Sequence, residues 1–176
     1  MATTATAING LGIQYDMSGA GPPVLFLNGH GSRAAHWAHQ RRALQSRYRV
    51  ITFDNREDMT VEPVYPIPQL ADDAVALLDH LGIERAHVVG PSVGSLVAQE
   101  MALRHPERVR SLTLASAWPH TGPLGRITQP VLVLRQRARH ARFRQLPGGP
   151  GFIAEHSDRF NEALLDFLAW LGAASA

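Results

Sequence analysis

The feature that most constrains this chain is Gly90-Pro91-Ser92-Val93-Gly94, set between an apolar run at Ala86 to Val89 and a helical pattern from Val93 to Arg104. A strand that becomes a helix within three residues must turn sharply, and its central residue is held in a strained conformation. The small residues Gly90 and Gly94 let the two arms of such a turn come close. The serine between them then projects above the end of a sheet, and the first helical amide, on Val93, is aimed at any oxyanion that forms there. The pentapeptide and its flanks therefore predict a nucleophile elbow at Ser92.

The rest of the chain fits around that turn. Thr4 to Ile8 and Leu11 to Asp16 are extended runs separated by Asn9-Gly10, a two-residue hairpin signal. Val24 to Leu27 is short and wholly apolar, as strands buried in parallel sheets are. Ala34 to Arg47 reads as a helix and Tyr48 to Phe53 as the next strand. Leu70, Ala74, Leu77, Leu78 and Leu81 share one helical face that closes at Gly82. Val109 to Ala115 and Val131 to Leu134 are further strands, Arg142 to Leu146 is a poor one, and Phe160, Leu164, Phe167, Leu168 and Leu171 mark a last helix. Alternating strands and helices predict an α/β fold: a doubly wound, mostly parallel sheet with an N-terminal antiparallel hairpin.

Composition narrows the function. The chain has 176 residues, 45% of them hydrophobic, which suits a single domain over 1–176. The absence of cysteine excludes disulfides, thiolate nucleophiles and cysteine metal sites. Met1 to Gly10 carries no apolar signal segment and no apolar run approaches membrane-spanning length, so a cytoplasmic protein without a membrane partner is expected. Every cation is Arg, and no acid falls between Glu107 and Glu155, where Arg108, Arg110, Arg126, Arg135, Arg137, Arg139, Arg142 and Arg144 lie. Without aromatic interleaving this reads as a solvated edge, and no nucleic-acid partner is expected. No histidine pair with a nearby carboxylate shares a helix, so neither metal nor cofactor is expected. His36, His39, His80, His87 and His105 read as structural or solvent-facing, and His140 as a surface residue.

Val24 to Gly31, Phe53 to Arg56, Leu81 to Gly90, Ala98 to Leu114 and Arg159 to Leu168 resemble, in order and spacing, the α/β-hydrolase superfamily, especially its aclacinomycin methylesterase and enol-lactonase-like branch. The resemblance implies that Ser92 is the nucleophile and that the amides of His30 and Val93 form the oxyanion hole. Asn28-Gly29 stands where the family has His-Gly.

The chain departs from the family pattern at three places. After Asp54-Asn55-Arg56 the family's glycine-containing turn is replaced by Glu57-Asp58-Met59. The turn after Val131 to Leu134, which should bear the triad carboxylate, reads Arg135-Gln136-Arg137-Ala138-Arg139-His140. Gly151 stands where the catalytic histidine should be. His156, five residues on, is the candidate base. Only Trp118 to Pro130 remain where relatives have a helical cap, which predicts an open, shallow site.

The functional expectation is a protein descended from carboxylic-ester hydrolases, with a small ester or lactone-like ligand and weak turnover. The alternatives are a lyase, cyclase or small-molecule binder that uses the same pocket, and an Arg-rich interaction module. Connections on either side of Val131 to Leu134 look too short for parallel crossovers. Arg142 to Leu146 is therefore expected to pair antiparallel or to leave the sheet, and a second copy is expected to cover the apolar strand, giving a homodimer.

Overall fold

The computed structural model describes residues 4–55, 66–116, 127–134, 142–143 and 152–174. Its chain begins with the expected hairpin, β1 (Thr4–Ile8) against β2 (Leu11–Ser18). Asn9 and Gly10 both have positive φ, 51° and 78°, the backbone of a turn whose twist matches that of its strands. Asn9 Nδ2 donates to Asp73 Oδ1 at 2.8 Å, which fastens the hairpin tip to a helix 64 residues away. Asp73 is 2% exposed, so a side-chain partner is what permits its burial.

After β3 (Pro23–Phe26) comes a 3-10 turn (Ala34–Trp37) and then helix α1 (Ala38–Leu44). The single helix predicted over Ala34 to Arg47 is thus shorter and divided. The elements β4 (Arg49–Phe53), α2 (Ile67–His80), β5 (Ala86–Pro91), α3 (Val93–Arg104) and β6 (Val109–Ala115) follow in the predicted order. The chain closes with β7 (Val131–Leu134), β8 (Arg142–Phe143), α4 (Phe152–Glu155) and α5 (Ser157–Ala174).

The strands form one eight-stranded sheet in the order β1-β2-β4-β3-β5-β6-β7-β8. Pairing is parallel from β4 across to β8, and antiparallel only where β2 meets β1 and β4. Successive side chains of one strand go to opposite faces, so each buried strand feeds two cores. Leu25, Ile51, Val88 and Leu112 pack with α2 and α3 on one face. Val24, Val50, Val89 and Leu132 pack on the other, with Leu44 of α1 and Phe160, Leu164 and Phe167 of α5. Runs without polar alternation, such as Val24 to Leu27, are what a sheet covered on both sides demands.

Two expectations about the C-terminal edge are corrected. Arg142 and Phe143 do join the sheet, parallel to β7, opposite Leu132 and Val133. A dozen-residue crossover is needed to return along a whole strand. Here the chain has to step back by only about two residues, roughly 7 Å, and the seven residues between β7 and β8 reach that easily. Nor does β7 need a second copy for cover, because Leu132 and Val133 are 5% and 7% exposed within one chain. Leu132 lies in the cluster built on α5, while Val131 packs on the opposite core. The physical ground for a dimer through this strand is therefore absent. Two of the arginines from the acid-free stretch are tied into the fold: Arg108 bonds Asp79 and the carbonyls of Ile83 and Glu84, and Arg110 bonds the carbonyl of Arg85.

Candidate active site

The strand order β4-β3-β5-β6 reverses direction between β3 and β5, since the chain moves outward from β3 to β4 and then returns to start β5 on the other side. The loops leaving two such strands diverge and open a crevice at their carboxyl ends. The turn after β3 and the turn after β5 meet there.

Ser92 joins β5 to α3 with φ 49° and ψ −121°, a left-handed conformation that costs a non-glycine residue of order 1–3 kcal/mol. Its neighbours hold it in place. The Ser92 N–H donates to Ala115 O at 2.9 Å. Its carbonyl accepts twice, from the Ser95 N–H at 2.9 Å and from Ser95 Oγ at 2.6 Å. The strand and helix touch at the glycines: a Cβ on Gly90 would lie 2.1 Å from Gly94 O, and one on Gly94 would lie 2.9 Å from Asn28 O. No side chain fits in either place, which is why the pentapeptide has glycine at both ends.

The facing turn rests on Asn28, which is fully buried. Its Nδ2 donates to Phe53 O at 2.6 Å and its Oδ1 accepts from Trp37 Nε1 at 2.9 Å. One amide thus joins the end of β4 to the indole, and Trp37 packs on Phe26 with ring centroids 4.7 Å apart. Asp54, just beyond β4, accepts the Ala34 N–H at 2.6 Å and fixes the start of the 3-10 turn. Gly29 brings this turn onto the elbow, since a Cβ there would be 3.4 Å from Pro91 O and 3.6 Å from Ser92 Cβ.

Between them lies a cavity of about 440 Å³. The turn after β3 contributes Gly29, His30, Ser32, His36 and Trp37, and the elbow contributes Pro91 and Ser92. The opposite wall comes from α4, through Ile153 and Ala154. His30, His36 and Ala154 are exposed at its rim. The volume lies in the range of small-molecule sites. No group of three or more possible metal ligands occurs among the described residues.

The predicted site residues are thus partly gathered. Ser92 and His30 share the cavity, and Val93 opens α3 beside them, its amide without an acceptor inside the helix. His156 stands at the joint of α4 and α5, two residues past the cavity wall. Its carbonyl accepts the Phe160 N–H, and no hydrogen bond joins it to Ser92 among the described residues. The expected acid turn at Arg135 to His140, the altered turn at Arg56 to Met59 and Gly151 lie outside the described residues. His36, read from sequence as structural or solvent-facing, is on the cavity wall. The signal that finds it is topological: residues following β3 must line the same end of the sheet as the elbow. His87 lies elsewhere, with Nδ1 2.8 Å from Ser111 Oγ and its pKa lowered to about 4, first by burial and then by the Arg110 charge.

A model of the alpha/beta hydrolase fold family matches residues 22–157. The chain belongs to that family. Among curated relatives it is 39% identical over 110 residues to a RutD protein from Azorhizobium caulinodans, named for carbamate hydrolysis, a match covering 60% of this chain and 41% of that one. It is 36% identical over 126 residues to the pimeloyl-[acyl-carrier protein] methyl ester esterase of Aeromonas hydrophila, covering 64% of this chain and 48% of the relative. The chain therefore spans less than half the length of these relatives. A crystal structure of a hydrolase from Pseudomonas aeruginosa superposes with a TM-score of 0.82 over 94% of this α/β-hydrolase chain and 98% of its own, at 24% identity, a likeness of fold.

Proposed function

We propose that this α/β-hydrolase acts on small carboxylic esters or lactones, with Ser92 as nucleophile, and that its turnover is slow. The observation that carries the reading is the strained, doubly hydrogen-bonded serine opening on a cavity large enough for a small acyl compound. In the step envisaged, Ser92 Oγ bonds to the acyl carbon while the carbonyl electron pair moves to oxygen, where the His30 and Val93 amides donate to it. The bond to the leaving oxygen then breaks, the Oγ proton leaves with the alcohol, and water cleaves the acyl-serine. The two relatives are named for carbamate and methyl ester hydrolysis, and both kinds of compound carry an acyl carbon with a leaving group, which supports this substrate class.

Slowness follows from proton handling. An unassisted serine hydroxyl is a poor nucleophile, and what remains without base and acid is the contribution of the oxyanion site and binding. Among the described residues no carboxylate lines the cavity. That observation favours a second reading, in which the same pocket serves a non-hydrolytic lyase, cyclase or binder.

Hydrolysis of p-nitrophenyl acetate by the wild type, Ser92→Ala and His156→Ala separates these readings. The expected result is a low rate abolished by Ser92→Ala, with an alkyl fluorophosphonate adding one phosphonyl mass at Ser92 as fluoride leaves. A fast rate lost on His156→Ala would assign that histidine the base's role. Equal rates in wild type and Ser92→Ala, with no adduct, would favour the non-hydrolytic reading.

A further inference from the structure

His36 occupies the cavity wall in a defined tautomer. The Arg33 N–H donates to His36 Nδ1 at 3.1 Å, closing the first turn of the 3-10 helix in the manner of a capping box. A neutral imidazole has one lone pair, and this bond uses it, so the proton sits on Nε2. While that turn stands, His36 cannot take a proton from Ser92. It can only give a hydrogen bond. Among the described residues Nε2 has no partner, and the ring is exposed at the cavity rim. Around it the wall is largely apolar, formed by Trp37, Pro91, Ile153 and Ala154. Ser32, His30 and Ser92 are the other polar side chains of the cavity, and an oriented donor beside this apolar stretch favours a ligand that carries an acceptor opposite it.

We propose that the Nε2–H of His36 selects the substrate: it receives a second acceptor oxygen, an ether, hydroxyl or carbonyl, carried beside the acyl carbonyl that faces Ser92. The ligands favoured are then oxygen-substituted acyl compounds rather than plain alkanoyl ones. This rests on the reading of the cavity as an acyl site. A residue that only closed the turn would leave no such signature, because Gln and Glu at this position both accept the Arg33 N–H, whereas Gln alone also donates.

The test uses two ketones of equal shape, 1-methoxypropan-2-one and pentan-2-one, titrated into the protein while the Trp37 indole N–H is followed by NMR. It is run in the wild type, His36→Gln, His36→Glu and His36→Ala, and again with Ser92→Ala, so that binding is read whether or not Ser92 reacts. The ratio of the two dissociation constants is expected to match in wild type and His36→Gln. In His36→Glu and His36→Ala it should shift by roughly fivefold against the methoxy ketone, the worth of one hydrogen bond. The same ratio in all four proteins, or a ratio kept by His36→Glu as well as by Gln, would overturn the proposal. Absence of any shift with either ketone would overturn it too. Equal p-nitrophenyl acetate turnover in wild type and Ser92→Ala, with the ratios intact, would count against Ser92 as nucleophile and leave His36 in its role.

Discussion

The two walls of the cavity are built differently. The wall around Ser92 and the turn after β3 is held by backbone: the Ser92 carbonyl accepts two bonds, Asn28 spans Phe53 and Trp37, and two glycines admit no side chain. The wall from α4 contributes Ile153 and Ala154, which shape the site and can neither give nor take a proton through a side chain. The first wall comes from the turns after β3 and β5, and the second from near the C-terminus of the chain. Here the first is strongly constrained, while the second shows no titratable side chain facing the serine among the described residues.

Breaking the constrained wall should have the largest effect. Gly90→Ala forces a Cβ onto a backbone oxygen that cannot yield, and a loss of roughly 4 kcal/mol or more is expected, read as failure to fold or a large drop in denaturation midpoint.

The strand behind the elbow offers an acid-sensitive test. His87 has a folded pKa of about 4, below its unfolded value near 6.5, so between those values the unfolded chain binds a proton that the folded one refuses. Its contribution is whole above pH 6.5 and is lost as pH falls toward 4, amounting to roughly 3 kcal/mol. Urea titrations across that window should show the slope, and His87→Gln should flatten it.

Asn28→Ala would strand the Trp37 indole N–H and the Phe53 carbonyl, costing roughly 2 kcal/mol and blue-shifting or broadening Trp37 emission as the indole loses its fixed partner. A cost near zero would show that the clamp is not what holds this wall. The smallest effect should be a gain. Ser92→Gly accepts the positive φ without a Cβ, and a rise of about 1 kcal/mol in unfolding free energy is expected even though the proposed nucleophile is gone.

Much of this was legible in the residues because local rules sufficed. Asn9-Gly10 specifies its turn, the apolar runs mark strands covered on both faces, and Gly90 to Gly94 needs no information beyond its own backbone. What escaped depends on contacts distant in sequence. That α5 covers Leu132 follows from the sheet's layering, which no local pattern announces. The parallel pairing of Arg142 and Phe143 depends on how far the chain must return, which a minimum crossover length overstates for a two-residue strand. His36 escaped for another reason: a 3-10 turn advances 120° per residue instead of 100°, so a helical reading of Ala34 to Arg47 gives the wrong direction for the side chains before Trp37.

The bond between Asn9 and Asp73 bears on how the chain is made. Asn9 and Gly10 can form their turn as soon as they leave the ribosome, but an isolated two-stranded hairpin is marginal in water. Its anchor is not synthesised until 64 residues later. At about 5–20 residues per second, the hairpin waits several seconds for that anchor, with the β2 edge bare until β4 arrives. The polar threonines of β1, Thr4 and Thr6, and its brevity make that interval safer, since short polar edges are poor templates for joining another chain.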